Sequence, residues 1–310
     1  MNKKIIFSAG GTGGHIFPAT NLMKHFSEKG YEVVLVTDKR GNNFLNKYLK
    51  YKTYELKAYT PTNKNFFPKI LSLIMVFYSL FKSIAILKKE KANMVIGFGG
   101  YVSFPISFAS KFFNLPLVIY EPNIVLGRAN KFLLIFAKKI FLAKEIKTDI
   151  IEKYKKKVYV VGSIINKNII NCLSFEKKIN KESFCILALG GSQGAEIFGK
   201  IIPSVVSMIK DKGLNIEINQ QCTKNQIGLL TDYYKKKNIK NYVFEFDQNI
   251  LKLILSSHIA ITRCGASAIA ELAHTQTPFI AVPLPDSIDN HQYLNAKFYE
   301  DRDCCWILEQ

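Results

Sequence analysis

Three times this chain runs a short apolar stretch into a cluster of glycines and then into a pattern with helical spacing. The first is Lys4-Ile5-Ile6-Phe7-Ser8 with Gly10-Gly11-Thr12-Gly13-Gly14-His15, after which Ala19, Leu22, Met23 and Phe26 recur at i, i+3, i+4 and i+7. Pro18 suits the first turn of that helix and Gly30 its stop, and Tyr31-Glu32-Val33-Val34-Leu35-Val36 reads as the next strand. The second is Asn93-Met94-Val95-Ile96 with Gly97-Phe98-Gly99-Gly100. The third is Phe184-Cys185-Ile186-Leu187-Ala188-Leu189 with Gly190-Gly191-Ser192-Gln193-Gly194. Phe198, Ile201, Ile202 and Val205 follow at helical spacing, where Pro203 is expected to bend or shorten the helix.

Further apolar runs at residues 116–120, 158–162, 259–262 and 278–283 are mostly continuous, as strands covered on both faces require. Strand–helix alternation of this kind predicts an α/β fold with parallel sheets and crossover helices. Two separate glycine-loop starts, near residues 10 and 190, predict two Rossmann-like domains over 1–162 and 163–310. The linker is expected near residues 162–174, and ligands at the carboxyl ends of the strands, in an interdomain cleft. A chain of 310 residues has the length for two such domains.

The longest apolar run, residues 70–81, is 12 residues long, short of the ~20 that span a bilayer. The amino-terminal stretch is too short for a secretory core. A cytoplasmic protein is expected. Its six cysteines show no CxxC and no zinc-type pairing, so they read as reduced, mostly buried thiols.

Glycine-rich strand-to-helix turns let backbone N–H groups approach phosphates. The Walker and GxGxxG patterns are both absent. One such cluster alone is compatible with a tight turn; three in a basic α/β chain favour a phosphorylated ligand. Thr262-Arg263-Cys264-Gly265-Ala266-Ser267 adds small residues at a helix start, with Glu271 one turn beyond Ser267. That carboxylate can accept both hydroxyls of a ribose diol, or it is a solvated residue on a capped helix. The five histidines show no HxxxH spacing, and no catalytic metal and no cofactor are expected.

Charge is one-sided. Residues 1–162 hold 27 Lys and Arg against 9 Asp and Glu, whereas residues 163–310 hold 16 against 15. A positive field on one half suits an anionic membrane surface or a phosphorylated ligand. Nucleic acid is not expected, because no recognised binding signature accompanies the charge.

Six motifs in order carry a family resemblance. They are Gly10-Gly11-Thr12-Gly13-Gly14-His15-Ile16-Phe17-Pro18, Gly97-Phe98-Gly99-Gly100-Tyr101-Val102-Ser103-Phe104-Pro105, and Glu121-Pro122-Asn123 with Gly127-Arg128-Ala129-Asn130. Gly190-Gly191-Ser192-Gln193-Gly194-Ala195, Arg263-Cys264-Gly265-Ala266-Ser267 with Glu271, and Asp289-Asn290-His291-Gln292-Tyr293 with Asn295-Ala296 complete them. From Lys3 to its last residue the chain closely resembles the MurG-type glycosyltransferases of peptidoglycan synthesis.

The resemblance implies a GT-B fold and a metal-independent, inverting transfer of GlcNAc from UDP-GlcNAc to lipid I, making lipid II. It implies a carboxyl-terminal donor domain and an amino-terminal domain that binds the acceptor and docks on the membrane. By position, Thr12, Gly13, Gly14, Asn123, Asn166, Ser192, Gln193, Asp247, Ala266, Ser267, Ala268, Glu271, His291 and Gln292 fall to the donor site. Gly11, Gly99, Gly100 and Tyr101 fall to the acceptor. The implied location is peripheral, on the cytoplasmic face of the cell membrane, with other cell-wall enzymes as further partners.

This sequence departs from the family pattern in places. Asn166 stands where an arginine is usual, Ala268 where a threonine is common, and Pro122 where a glutamine is usual. The chain stops at Glu309-Gln310, several tens of residues before the family's usual end, so the second domain reads as truncated there. The alternatives are another GT-B enzyme, either a UDP-sugar transferase with a soluble acceptor or a UDP-GlcNAc epimerase, and an inactive truncated relic.

For catalysis, His15 closes a glycine loop and has a near-neutral reference pKa, which makes it the first candidate for the base that takes the acceptor's proton. The rival role is orientation or phosphate contact without proton transfer. For membrane contact, residues 70–87 carry Phe77 and Phe81 between Lys69, Lys82, Lys88 and Lys89, a pattern that suits either a core helix or a basic-edged membrane face.

Overall fold

A computed structural model of the chain describes residues 3–42, 51–57, 66–174, 182–191, 196–247 and 249–310, side chains of 66–74 and 173–174 excepted. The chain divides into two compact units, Met1–Ile164 and Ile165–Gln310.

In the first unit the elements run β1 (Lys4–Ser8), α1 (Gly13–Glu28), β2 (Glu32–Thr37), β3 (Lys52–Glu55), α2 (Phe66–Glu90), β4 (Met94–Gly97), α3 (Ser103–Ala109), β5 (Leu117–Glu121), α4 (Arg128–Leu133), β6 (Lys139–Leu142), α5 (Asp149–Lys153) and β7 (Val158–Val160). The strands form one sheet in the order β3-β2-β1-β4-β5-β6-β7. Every strand pair is parallel. Apolar clusters lie on both faces, one around Ile6, Val95 and Ile119, the other around Phe7, Ile96 and Tyr120. Successive side chains of one strand thus enter opposite layers, which is why these runs are continuous rather than alternating.

In the second unit the order is α6 (Lys167–Ile170), β8 (Phe184–Leu189), α7 (Glu196–Asp211), β9 (Ile216–Gln221), α8 (Ile227–Lys236), β10 (Lys240–Phe244), α9 (Ile250–Ser256), β11 (Ile259–Thr262), α10 (Ala266–His274), β12 (Phe279–Ala281), α11 (His291–Glu300) and β13 (Cys305–Ile307). The sheet order is β10-β9-β8-β11-β12-β13, again parallel. Both sheets therefore reverse direction of travel once, between β1 and β4 and between β8 and β11. In doubly wound folds the crevice at that reversal, outside the carboxyl ends of the strands, takes the ligand.

Helix α1 ends as expected. Gly30 (φ +82) donates its N–H to the Ser27 carbonyl, Tyr31 donates to Phe26, and the Phe26 and Tyr31 rings pack edge to face at 5.2 Å. This is a glycine stop with its usual apolar contact. Its start differs from the expectation. The helix begins at Gly13, so Pro18 lies at its sixth position rather than in the first turn, and removes the N–H that would bond Gly14.

Pro203 does not shorten α7, which runs 16 residues with the proline inside. The pyrrolidine ring is buried with Phe198, Ile202 and Val206, and that burial offsets the missing hydrogen bond. The buried face is therefore rotated from the expected one, and Ile201 and Val205 are exposed. The run at 158–162 forms the edge strand β7 over Val158–Val160, with Tyr159, Val160 and the following Val161 exposed rather than covered on both faces. Tyr120 reaches past the end of this strand: its hydroxyl donates to the Gly162 carbonyl and accepts from the Ile164 N–H.

None of the six cysteines is disulfide-bonded, and five are buried. Among the described residues no helix is long and apolar enough to cross a membrane.

Candidate active site

At the reversal point of the second sheet, the Arg263 N–H bonds the Leu189 carbonyl at 3.1 Å. This sets the start of α10 beside the end of β8 and the Gly190-Gly191 turn, where Gly191 has φ +84. Gly265 caps α10 in an extended conformation with no side-chain cap, so the first N–H groups of the helix await an acceptor. Ser267 is buried in the first turn, and its hydroxyl has no hydrogen-bond partner. One turn on, Glu271 is half-buried. Burial alone pushes its carboxyl up to about 8. Among the described residues it has no partner. A ligand with anionic oxygens for the helix start and paired hydroxyls for Glu271 would satisfy all of these groups at once.

Ala266 is buried and Ala268 half-buried on the same turn. Gln292, on α11, folds against the start of α10: its Oε1 accepts from the N–H groups of Cys264 (3.2 Å) and Leu284 (3.0 Å). Its NH2 group is thereby turned away and has no acceptor among the described residues. His291 begins α11 with Nδ1 against the Ile288 carbonyl at 2.8 Å. Asn166 caps α6, accepting the Asn168 N–H at 2.9 Å. Asp247 lies two strands from β8, past the end of β10, and shapes its own loop by accepting from the Asn249 N–H (2.6 Å) and the Tyr242 hydroxyl (3.0 Å). The structure thus gathers Ser267, Glu271 and Gln292 around α10 and leaves Asp247 apart. Ser192 and Gln193 lie outside the described residues.

At the reversal point of the first sheet two glycine loops touch. Gly10 donates to the Gly99 carbonyl at 3.1 Å, and a Cβ on Gly100 (φ +79) would fall 2.8 Å from the Gly10 Cα. Thr12 is the exposed N-cap of α1, and its carbonyl receives the N–H groups of His15 and Ile16. Gly13, Gly14, His15 and Tyr101 are half-buried nearby. The Gly11 N–H is committed to the Asp38 carboxylate at 3.3 Å, which also takes the Gly41 N–H at 2.9 Å. Gly11 therefore shapes the loop through Asp38, a residue sequence reasoning did not single out. Its only signal was an acidic residue directly after an apolar strand.

Sequence reasoning also gave no role to Glu121, which ends β5 with no exposed surface. Its carboxylate accepts from the Asn123 N–H (3.1 Å), the Asn123 amide (3.0 Å), the Gly127 N–H (2.8 Å) and the Asn130 amide (2.9 Å). Burial raises its pKa, against the pull of these four bonds. One side chain thus holds the whole loop that carries Asn123. The signal was a carboxylate closing a wholly apolar run, with Asn, Gly and Asn at short spacings after it.

Among the described residues no group of three or more His, Cys, Asp and Glu is placed to hold a metal ion.

Comparison with known proteins bears on the family and the fold. The model for the glycosyltransferase family 28 N-terminal domain matches residues 5–142, and that for the C-terminal domain of the same family matches residues 185–310. The Pelagibacter ubique protein named UDP-N-acetylglucosamine--N-acetylmuramyl-(pentapeptide) pyrophosphoryl-undecaprenol N-acetylglucosamine transferase is 37% identical over 312 residues, spanning 100% of this chain and 85% of the relative. The Rickettsia felis protein of the same name is 38% identical over 317 residues, spanning 99% and 86%. The crystal structure of Acinetobacter baumannii MurG superposes with a TM-score of 0.74 at 23% identity, over 100% of this chain and 86% of that one, and speaks for the fold alone.

Proposed function

This chain belongs to glycosyltransferase family 28, its two parallel-sheet domains are those of the GT-B fold, and on that premise we propose how its residues carry the family's reaction. The chain transfers GlcNAc from UDP-GlcNAc to lipid I and so forms lipid II. The observation that carries the site assignment is the unsatisfied pair on α10. The helix start and Ser267 take the donor's diphosphate, Glu271 takes the ribose diol, and the Gln292 NH2 donates to the sugar.

The chemistry follows. The acceptor's sugar hydroxyl attacks the anomeric carbon, its new C–O bond forms as the bond to the diphosphate breaks, and UDP leaves with inversion. Negative charge grows on the leaving diphosphate, where preoriented N–H groups at the start of α10 stabilise it. His15 receives the hydroxyl proton. The first unit, with its glycine loops and excess of basic residues, binds the anionic acceptor.

That unit also docks on the membrane. From Met75 onward α2 is inverted relative to a core helix: Ser79 and Ser83 are buried, while Phe77 (54% exposed), Tyr78 and Phe81 (69% exposed) face outward. The Ser79 hydroxyl is satisfied inside by the Lys57 carbonyl at 3.0 Å. Phe112 and Phe132, elsewhere in the same unit, are also exposed, and Lys82, Lys88, Lys111 and Lys131 stand beside these aromatics in sequence. Rings that enter the interface and lysines that meet anionic headgroups account for both. The working position is thus peripheral, on the cytoplasmic face. Parallel assays with lipid I in detergent and with a soluble muramyl-peptide test the acceptor assignment: turnover confined to the lipid-linked acceptor supports it, and equal turnover of both counts against it.

A further inference from the structure

Arg263 bridges the same two stretches of chain that Gln292 bridges, and we infer that it is the residue that sets the Gln292 amide for the donor sugar. The inference rests on the proposed contact between the Gln292 NH2 and that sugar.

Beyond the paired strands β11 and β12, two arms of irregular backbone leave the sheet together: Arg263-Cys264-Gly265, which leads into α10, and Val282-Pro283-Leu284. The Val282 N–H still donates to the Thr262 carbonyl at 2.8 Å. Among the described residues no further backbone bond ties the arms, and Pro283 has no N–H to offer. Two side chains tie them instead. Arg263 is buried, and its Nη1 donates to the carbonyls of Val282 (3.1 Å) and Pro283 (3.0 Å). Gln292 Oε1 accepts the N–H groups of Cys264 (3.2 Å) and Leu284 (3.0 Å), one from each arm.

The orientation of the amide depends on both donors. Two N–H groups converge on one atom, only an oxygen can accept them, and the NH2 is turned outward as a result. Were the arms to part, one of the two donors would leave. Arg263 prevents this, because its own backbone lies in the first arm and its side chain grips the second. Its N–H on the Leu189 carbonyl (3.1 Å) ties the first arm to the end of β8. The guanidinium is held from other sides as well. It lies 5.1 Å from the centroid of the Phe198 ring, in the first turn of α7, and its Nη2 donates to Gln310 Oε1. Among the described residues it has no carboxylate partner. A buried cation met only by carbonyls, an amide and a ring face is costly to keep for packing alone. A planar fork that reaches two adjacent carbonyls is what a lysine in its place would lack. Arg263 is thus a positioning residue, acting on the sugar through Gln292.

The test is amide hydrogen exchange of the full chain, together with two binding constants. In the wild type the Cys264 and Leu284 N–H groups should be protected. Arg263→Lys should speed the exchange of both by ~10-fold or more and leave Val282, bonded to the Thr262 carbonyl, within about twofold. The same variant should raise Kd for UDP-GlcNAc by ~10-fold and leave Kd for UDP, which carries no sugar, within about twofold. Unprotected Cys264 and Leu284 in the wild type, or exchange unchanged in Arg263→Lys, overturns the inference. So does an equal loss of UDP and UDP-GlcNAc affinity, which would assign Arg263 to the diphosphate or to the fold at large. Should Arg263→Lys not fold, the wild-type 15N guanidinium spectrum decides. Separate, slowly exchanging Nη signals for Arg263 support the inference, and one averaged signal overturns it. Gln292→Ala checks the premise by itself: an unchanged ratio of UDP-GlcNAc to UDP affinity there would remove the sugar contact, while the exchange data still read what Arg263 positions.

Discussion

On helix α10 the Ser267 hydroxyl and the Glu271 carboxyl stand one turn apart, and among the described residues neither has a hydrogen-bond partner. Native proteins seldom bury polar groups unsatisfied. A nucleotide diphosphate resolves both, because its oxygens accept from the serine and its ribose hydroxyls donate to the glutamate.

The glutamate yields the first prediction. Its carboxyl is raised from 4.5 to about 8 by burial. A raised acid leaves the empty fold unburdened below the unfolded value and costs stability progressively as pH rises from 4.5 through 8. Glu271→Gln should therefore melt higher than wild type above pH 8, with the gap closing as pH falls toward 4.5, as scanning calorimetry across pH will read. The same variant should raise KM for UDP-GlcNAc by ~10-fold or more, through the loss of charge-assisted bonds to the diol.

His15→Ala should lower turnover by ~10²-fold or more with donor affinity largely kept. Gly99→Ala should give the same pattern by another route. Its new methyl would press on the imidazole, and φ +89 strains any residue but glycine. Steady-state kinetics with both substrates check the pair, and near-normal turnover in His15→Ala rejects the base.

At the opposite edge of the first sheet, Glu90 anchors an ion network. Burial opposes its charge, but hydrogen bonds from Lys52 (2.7 Å), Tyr54 and Lys4 (3.2 Å) outweigh it and hold the carboxyl at about 2. A depressed acid stabilises the fold above the unfolded value of 4.5 and loses that contribution as pH falls through about 2. Glu90→Gln should cost about 2–3 kcal/mol at neutral pH and little at the acid end, with kcat unchanged. Urea unfolding at two pH values measures it.

Membrane binding should follow the outward aromatics of α2. Sedimentation with anionic vesicles should show association that weakens with salt, and Phe77→Ser with Phe81→Ser should reduce it severalfold. Equal binding to neutral vesicles at all salt concentrations would count against the docking face.

Much of this arrangement was legible in the residues. The strands that flank each reversal point, β1, β4, β8 and β11, are continuous apolar runs leading into glycine or small-residue turns, and those are the turns that build the sites. What stayed hidden has physical reasons. Strand β9 carries Asn219, Gln220 and Gln221 because Tyr234 hydrogen-bonds Gln220 inside the core, so its polarity masks its burial. Strands β3, β7, β10 and β13 lie at sheet edges, where composition is less constrained. Asp38 owes its role to the Gly11 loop 27 residues away, whereas Glu121 bonds residues 2, 6 and 9 positions on, within one loop whose shape only the fold reveals.

The most direct test of the central claim is radiolabelled GlcNAc transfer from UDP-GlcNAc to lipid I by the purified chain. The account predicts labelled lipid II in the wild type and its loss, at saturating donor, in His15→Ala. Release of UDP or an epimerised sugar with no labelled lipid would contradict it.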